Sequence, residues 1–561
     1  MTADQSDRRE SQKTDQTAHP VPSATSGTPR WNPPWSIWAV IAAGLFVILL
    51  VQTTDITADH AITNVATALA VFLSFMSWVV WFCLYSDQPR WLRMIPLLVI
   101  VISITTFFAF YRIDHVSGEL IPTFARRFSF HPDQLLPLPA QSEPSVATET
   151  ADLKGRTPFD FPQFLGPHRT ASVDAIQLAG NWDESGPQQI WKRPIGAGWS
   201  AFSAVNGYAV TMEQRGPFEL TTCYNLQTGE ILWSHSTDAR YQNKLGGIGP
   251  RSTPTIHDGR VYSLGVTGKL HCLDGANGQV LWQKDLPNAF GITSAEDAEN
   301  VDYGRSNSPL VFGTSVIIPA GGSQSEDVYS LVAYDLKTGE ERWRGGDAQI
   351  SYSSPSLVEL CGRKQILIVN EESVSSHDPL TGETLWSHPW PGSNLANSNS
   401  SQAVAIDGDK VLLSKGYGTG AMLLQITKND RSQWKAEEIW KKHNVLRTKF
   451  ANVVIRGPYT FGLSDGILQC VETKSGRVRW KKGRYGHGQI LLVGDKILVL
   501  AEDGKVHLVA ADPKRHQELG SCQAIEGTSW NNICLYGPYL LVRNSQEAAC
   551  YRLPTTDEKP K

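Results

Sequence analysis

No Cys-x-x-Cys pair, no two adjacent cysteines and no Cys/His group with metal-ligand spacing occurs among the 561 residues. The eight cysteines are scattered, which gives no sign of a disulfide scaffold or a metal site. An excess of charge is missing too, since 51 Lys and Arg face 55 Asp and Glu for a formal net charge of -4. Nucleic acid is therefore not an expected partner, because its binders carry a strongly basic balance. The 14 histidines form no cluster and no Ser-His-Asp arrangement stands out. The Gly-rich stretches 246–250 and 416–420 do not open a helix, so they lack the setting of a phosphate-binding loop.

What is present falls into distinct parts. Residues 1–34 are polar and read as a disordered tail. Three uncharged apolar runs follow at about 35–52, 61–85 and 94–111. Each approaches or exceeds the ~18–20 residues that cross the hydrocarbon of a bilayer. Arg8, Arg9, Lys13 and Arg30 precede the first run, and Arg90 and Arg93 separate the second from the third. The loop after the first run has only Asp55, Asp59 and His60 near its ends. Positive charge stays inside, which places the tail in the cytoplasm and everything after Tyr111 outside it. The bilayer is thus an expected partner, with residues 35–111 as a three-helix anchor. Residues 112–158 are a Pro-bearing extracytoplasmic linker, expected to act as a semi-rigid spacer.

From 159 to 554 the chain reads as short strands, with 555–561 as a tail. One pattern recurs there. Ala333-Tyr-Asp-Leu-Lys-Thr-Gly-Glu-Glu-Arg-Trp343 is a strand, a tight turn and a second strand. Asp335 caps the turn, Gly339 supplies positive φ and Trp343 is an apolar anchor. Equivalent stretches end at Trp233, Trp282, Trp386 and Trp480, and further anchors stand at Trp191 and Trp440. Cys223, Cys272, Cys470 and Cys550 occupy the register of Ala333 and read as small inward-pointing residues. Anchors 40 to 61 residues apart, with several strands per unit, predict an all-β fold: a β-propeller of four-stranded blades. The unit beginning at Gln489 places Leu519 at the anchor position. The three strands after it lack a fourth, which the stretch around Trp191 supplies. That gives eight blades and no free sheet edge, with seven as the alternative.

The Ala333–Trp343 pattern resembles the tryptophan-docking motif of the pyrroloquinoline-quinone-type (PQQ-like) propellers. Phe161-Pro-Gln-Phe-Leu-Gly-Pro-His-Arg169 is similar to a lead-in seen before many bacterial members. The family includes quinoprotein alcohol dehydrogenases and the propeller lipoprotein of the outer-membrane β-barrel assembly machinery, and the latter is the nearer likeness. The resemblance implies a bacterial inner membrane and a periplasmic propeller. Its dehydrogenases hold PQQ and Ca²⁺ above the channel, with an Asp base and often a disulfide of adjacent cysteines, which this chain lacks. Asp274, Asp335 and Asp378 read as turn caps, and Glu296, Asp297, Glu299 and Asp302 as a solvated insertion.

No catalytic or metal-binding set is therefore named and no cofactor is expected. The candidate binding surface is the channel mouth, where the first strand of each blade begins. Arg251, Arg305, Asn307, Tyr352, Asn397, Asn399, Arg447 and Lys449 fall there and suit a polar or anionic ligand or an extended peptide. The same groups could instead bond neighbouring blades. The expected function is a membrane-anchored binding or scaffold module with an envelope protein or peptide partner. The alternative is a PQQ-dependent dehydrogenase of alcohols or sugars passing electrons to the membrane. A sensor is a third reading, which the lack of any output domain in the tail disfavours.

Overall fold

The structure is a computed structural model that describes residues 32–54, 60–139, 150–182, 185–323, 327–391, 398–431 and 433–556. Most of the tail 1–34, and Asn397, lie outside the described residues. The chain divides into two compact units.

The first unit holds most of three helices: α1 (Trp35–Thr53), α2 (His60–Tyr85) and α3 (Arg90–Phe110). All three are long and apolar enough to cross a membrane. α3 begins at Arg90 rather than at Met94, because Pro89 can accept the first-turn bonds of Leu92 and Arg93. Gly44 of α1 lies against Ser74 of α2, where any side chain would collide. Small residues let helices approach in this way.

The second unit is built on eight sheets, at 203–238, 255–285, 310–345, 356–389, 404–442, 454–484, 489–523 and 534–552; each has four antiparallel strands, and the one at 489–523 carries a fifth, parallel strand at its inner edge. They are blades 1 to 8. The eighth has only three strands of its own, and β4 (Gln188–Pro194) pairs with Glu547–Arg552 to complete it. The ring thus has eight blades and is closed by the N-terminal strand. First strands of neighbouring blades lie against one another and form the inner wall.

The repeated turn explains the ring. Asp335 accepts from the Lys337 and Thr338 amides at 2.8 and 2.9 Å, and Gly339 takes φ 71°. A Cβ at Gly339 would sit 2.7 Å from the Trp282 ring of the preceding blade. The indole of Trp282 donates to the Leu336 carbonyl at 3.1 Å. Trp191, Trp233, Trp440 and Trp480 make the same cross-blade bond to Leu226, Gly275, Thr473 and Asp512. Trp343 packs on Gly382 of the next blade, while Trp386 donates to Gln365 within its own. Cys223, Cys272, Cys470 and Cys550 are buried and stand opposite Trp233, Trp282, Trp480 and Trp191.

Blade 7 departs from this pattern. Gly520, not Leu519, opposes Leu508, and Leu519 falls in the bulge that precedes every anchor. The space over Gly520 is filled by Trp182.

The stretch expected to be a spacer carries structure. β1 (Tyr111–Val116) and β2 (Pro122–Arg126) form a hairpin, and α4 (Pro132–Leu135) follows. Asp133 is buried and pairs with Arg240 at 2.7 Å, while Arg215 donates to the Pro137 carbonyl at 2.8 Å. The acidic insertion is likewise organised, as a helix at Ser294–Asn300 with a Thr293/Glu296 capping box.

Candidate functional site: the channel mouth

One end of the channel is sealed by the lead-in. Phe161 and Ala204 of blade 1 exchange two backbone bonds of 2.8 Å. The Ile256 amide of blade 2 donates to the Pro162 carbonyl at 2.8 Å. Arg169 then donates to the Ser308 and Pro309 carbonyls of blade 3 at 2.9 and 2.8 Å. Three residues later, β3 (Ser172–Val173) pairs with Leu492 and Val493 of blade 7. Blades 3 and 7 face each other across an eight-bladed ring, so the segment must cross the axis. Phe161, Leu165 and Ala171 are fully buried within it. Burial without a carboxylate partner pushes the Arg169 guanidinium down to about 9. The lead-in motif is thus a plug, and the other end is the mouth.

Most residues expected at that mouth bond neighbouring backbone. Arg305 is buried, pairs with Asp297 at 2.7 Å and donates to the Ala320 carbonyl at 2.9 Å. Asn307 donates to the Ser351 and Ser353 carbonyls of the blade 3–4 connection, at 2.9 and 2.6 Å. Asn399 donates to the Asn370 and Glu371 carbonyls at 2.8 and 2.9 Å. Tyr352 accepts from the Tyr303 amide at 3.3 Å and packs on its ring. Arg251 holds the Gly246 and Gly249 carbonyls, both at 2.6 Å, beneath the Tyr241 ring. Arg447 pairs with Asp465 at 2.7 Å. Lys449 donates to the Gly118 carbonyl in the β1–β2 turn at 2.8 Å.

Four aromatic residues complete the rim, and sequence reasoning missed them. Trp199, Phe450, His487 and Trp530 each precede a first strand in the register of Arg251. Trp199 and Trp530 are 4.7 Å apart between ring centroids, Phe450 and Trp530 5.1 Å, and Phe450 and His487 5.7 Å. Adjacent blades 6, 7, 8 and 1 supply them, so they form a continuous aromatic arc. Trp530 donates to one Glu502 oxygen at 2.9 Å, and the His487 amide donates to the other at 3.0 Å. Trp199, Phe450 and Trp530 remain partly exposed. Their signal was the register, which blades 2, 3 and 4 mark with a Ser/Thr-Pro pair that these blades lack. The turn of the β1–β2 hairpin reaches this arc. A Cβ at Gly118 would stand 2.6 Å from His487 and 3.4 Å from Phe450.

Beside the mouth, the seam between blades 8 and 1 is welded by charge. Arg543 donates to Thr211, Met212 and Gly196, each at 2.8 Å. Glu213 accepts from Tyr224 and Thr222, both at 2.8 Å, and pairs with Arg215 at 3.1 Å. Burial opposes its ionisation, but the Arg215 and Arg543 guanidiniums outweigh it and hold the carboxyl below its usual range.

Comparison with known proteins agrees with the repeat pattern. A family model described as outer membrane protein assembly factor BamB matches residues 217–482. The chain is 32% identical over 90 residues to BamB of Kangiella koreensis, covering 16% of this chain and 22% of that one. It is 24% identical over 215 residues to quinoprotein alcohol dehydrogenase PedH of Pseudomonas putida, covering 37% and 31%. The matches span 18% to 31% of the length of these and two further quinone-linked alcohol dehydrogenases. Among solved structures, a europium-containing methanol dehydrogenase aligns over 71% of this chain and 98% of its own, at 12% identity and a TM-score of 0.54. That likeness is one of fold. The eight-bladed ring with its turn-and-tryptophan repeats is thus similar to PQQ-like β-propellers of both the BamB-like and the quinoprotein kind.

Proposed function

We propose that the chain is a membrane-anchored binding module whose channel mouth holds a polypeptide segment of an envelope partner. The anchor lies in the bacterial inner membrane, the N-terminus is cytoplasmic and the propeller periplasmic. The observation that carries the reading is the arc of Trp199, Phe450, His487 and Trp530 on a channel sealed at its other end. Partly exposed aromatic groups with fixed hydrogen-bond partners bind at low entropic cost. The β1–β2 turn already rests on this arc by its backbone, as a bound peptide would. BamB similarity supports a protein partner. The test is quantitative binding of candidate envelope proteins to the full chain in detergent. Trp199→Ala with Trp530→Ala should weaken a genuine partner by about tenfold or more, with the fold intact.

The quinone reading keeps one argument, similarity to dehydrogenases. The mouth residues do not fit that group well. Among the described residues no three His, Cys, Asp or Glu side chains gather to hold a metal ion. Asn307, Asn399 and Asn531 spend their amide N–H groups on backbone carbonyls, which leaves only their unpartnered amide oxygens for a ligand. Trp199 and Trp530 pack against each other in a tilted contact, leaving no slot for a planar ring between them. Adding PQQ and Ca²⁺ to the purified chain, then assaying dye reduction with alcohols and sugars, decides between the readings. Turnover would favour the enzyme.

A further inference from the structure

The near balance of charge hides a local concentration. Between 474 and 484 six cations fall in eleven residues with no Asp or Glu. Lys474 stands in the turn, and Arg477, Arg479, Lys481, Lys482 and Arg484 lie on the outermost strand of blade 6, Arg477–Arg484. All six are exposed. Eight residues at ~3.3 Å each make a stripe about 25 Å long, down the outer edge of the ring.

Neighbouring blades extend it. Lys441 is exposed at the end of the outermost strand of blade 5, and Lys442 donates to the Ser475 and Gly476 carbonyls at 2.9 and 3.3 Å. Lys514 and Arg515 are exposed in the corresponding turn of blade 7. Among the described residues, Glu472 stands 3.7 Å from Arg477 and Glu119 3.9 Å from Arg484. Exposed pairs at such distances are weak and leave most of the positive field in place.

Apart from the exposed Val478 and the partly buried Trp480 the stripe presents charge, so it suits a flat, diffuse array of negative charge rather than a folded partner. A bilayer is within reach. Glu119, at the Arg484 end, is nine residues past Phe110 (119 − 110), the last residue of α3. Nine residues extend to about 30 Å. Each Lys or Arg near an anionic bilayer surface adds to the attraction. A weak attraction suffices once the domain is tethered, because docking is then intramolecular.

We propose that blade 6 docks edge-on, through Lys474 and the Arg477–Arg484 strand, against anionic phospholipid headgroups of the bilayer that α1–α3 cross. This rests on the membrane anchoring above and not on the role of the mouth.

The test is lysine footprinting by mass spectrometry on the full chain in nanodiscs. One set of discs is purely zwitterionic and the other contains phosphatidylglycerol. Labelling of Lys474, Lys481 and Lys482 should fall about threefold or more in the anionic discs and recover at about 0.5 M salt. Lys244, exposed between blades 1 and 2, should label equally in both. Lys481→Glu with Lys482→Glu should abolish the protection of Lys474. Equal labelling in both discs would overturn the proposal. So would protection by polyglutamate that exceeds protection by anionic discs, since it would point to an acidic protein. A chain that does not enter discs would overturn the anchoring itself, leaving the reading of the mouth to its own binding test.

Discussion

Trp182 packs on Gly520, at the one position in the eight blades where the anchoring tryptophan is replaced by glycine. A residue from the segment between β3 and β4 thus supplies across the chain what the other blades carry on their own outermost strand. Replacing Trp182 by Ala should cost about 3 kcal/mol, the usual loss for a buried Trp. It reads out as a lower urea midpoint for the full chain in detergent. Gly520→Ala should cost much less in the Trp182→Ala background than in the native chain, because the collision has been removed.

Arg169 is the latch of the plug. Its guanidinium serves the Ser308 and Pro309 carbonyls and Gln163, at 2.9, 2.8 and 3.2 Å. Arg169→Met keeps the bulk but strips those carbonyls of a charged donor, a loss of about 2 kcal/mol. Limited proteolysis should then cut between 150 and 173, while the blades resist.

Glu219 should make stability depend on pH. It is buried, accepts from the Val266 amide at 3.0 Å, and burial raises its pKa to about 7. The unfolded chain ionises it near the ordinary value of 4.5. Its stabilising share is therefore complete below about pH 4.5 and is lost as pH rises through about 7. Glu219→Gln keeps an acceptor for Val266 and should flatten that fall. Melting curves from pH 5 to 8 should show the variant gaining on the native chain, by on the order of 2 kcal/mol at pH 8.

The turn glycines admit no side chain. Gly339→Val would force a β-branched residue to φ 71° and push it into Trp282. A loss of at least about 2 kcal/mol is expected, with the blade 2–3 seam opening first in hydrogen exchange.

The ring was legible in the sequence because its cause is local. Asp335, Gly339 and Trp343 fall within nine residues, and the repeat needs no knowledge of distant contacts. Closure by β4 was legible too, since Trp191 was an anchor without a hairpin. The plug was not, because Phe161–Ala204, Arg169–Ser308 and Ser172–Leu492 are contacts between unlike, distant segments. Several of the polar residues that register placed at the mouth are spent within the protein itself. Asn307, Asn399 and Arg305 are consumed there by blade-to-blade and loop bonds. The aromatic arc escaped notice because its blades lack the Pro that marked the register elsewhere.

The central claim is that the mouth, not the blade edges or the sealed end, holds a partner. A photo-crosslinking residue at Phe450, in the full chain in its native membrane, tests this most directly. One discrete adduct is predicted, absent when the same residue replaces the exposed Leu380 and lost when Trp199 and Trp530 are both changed to Ala. No adduct at Phe450, or the same adduct from Leu380, would contradict the claim.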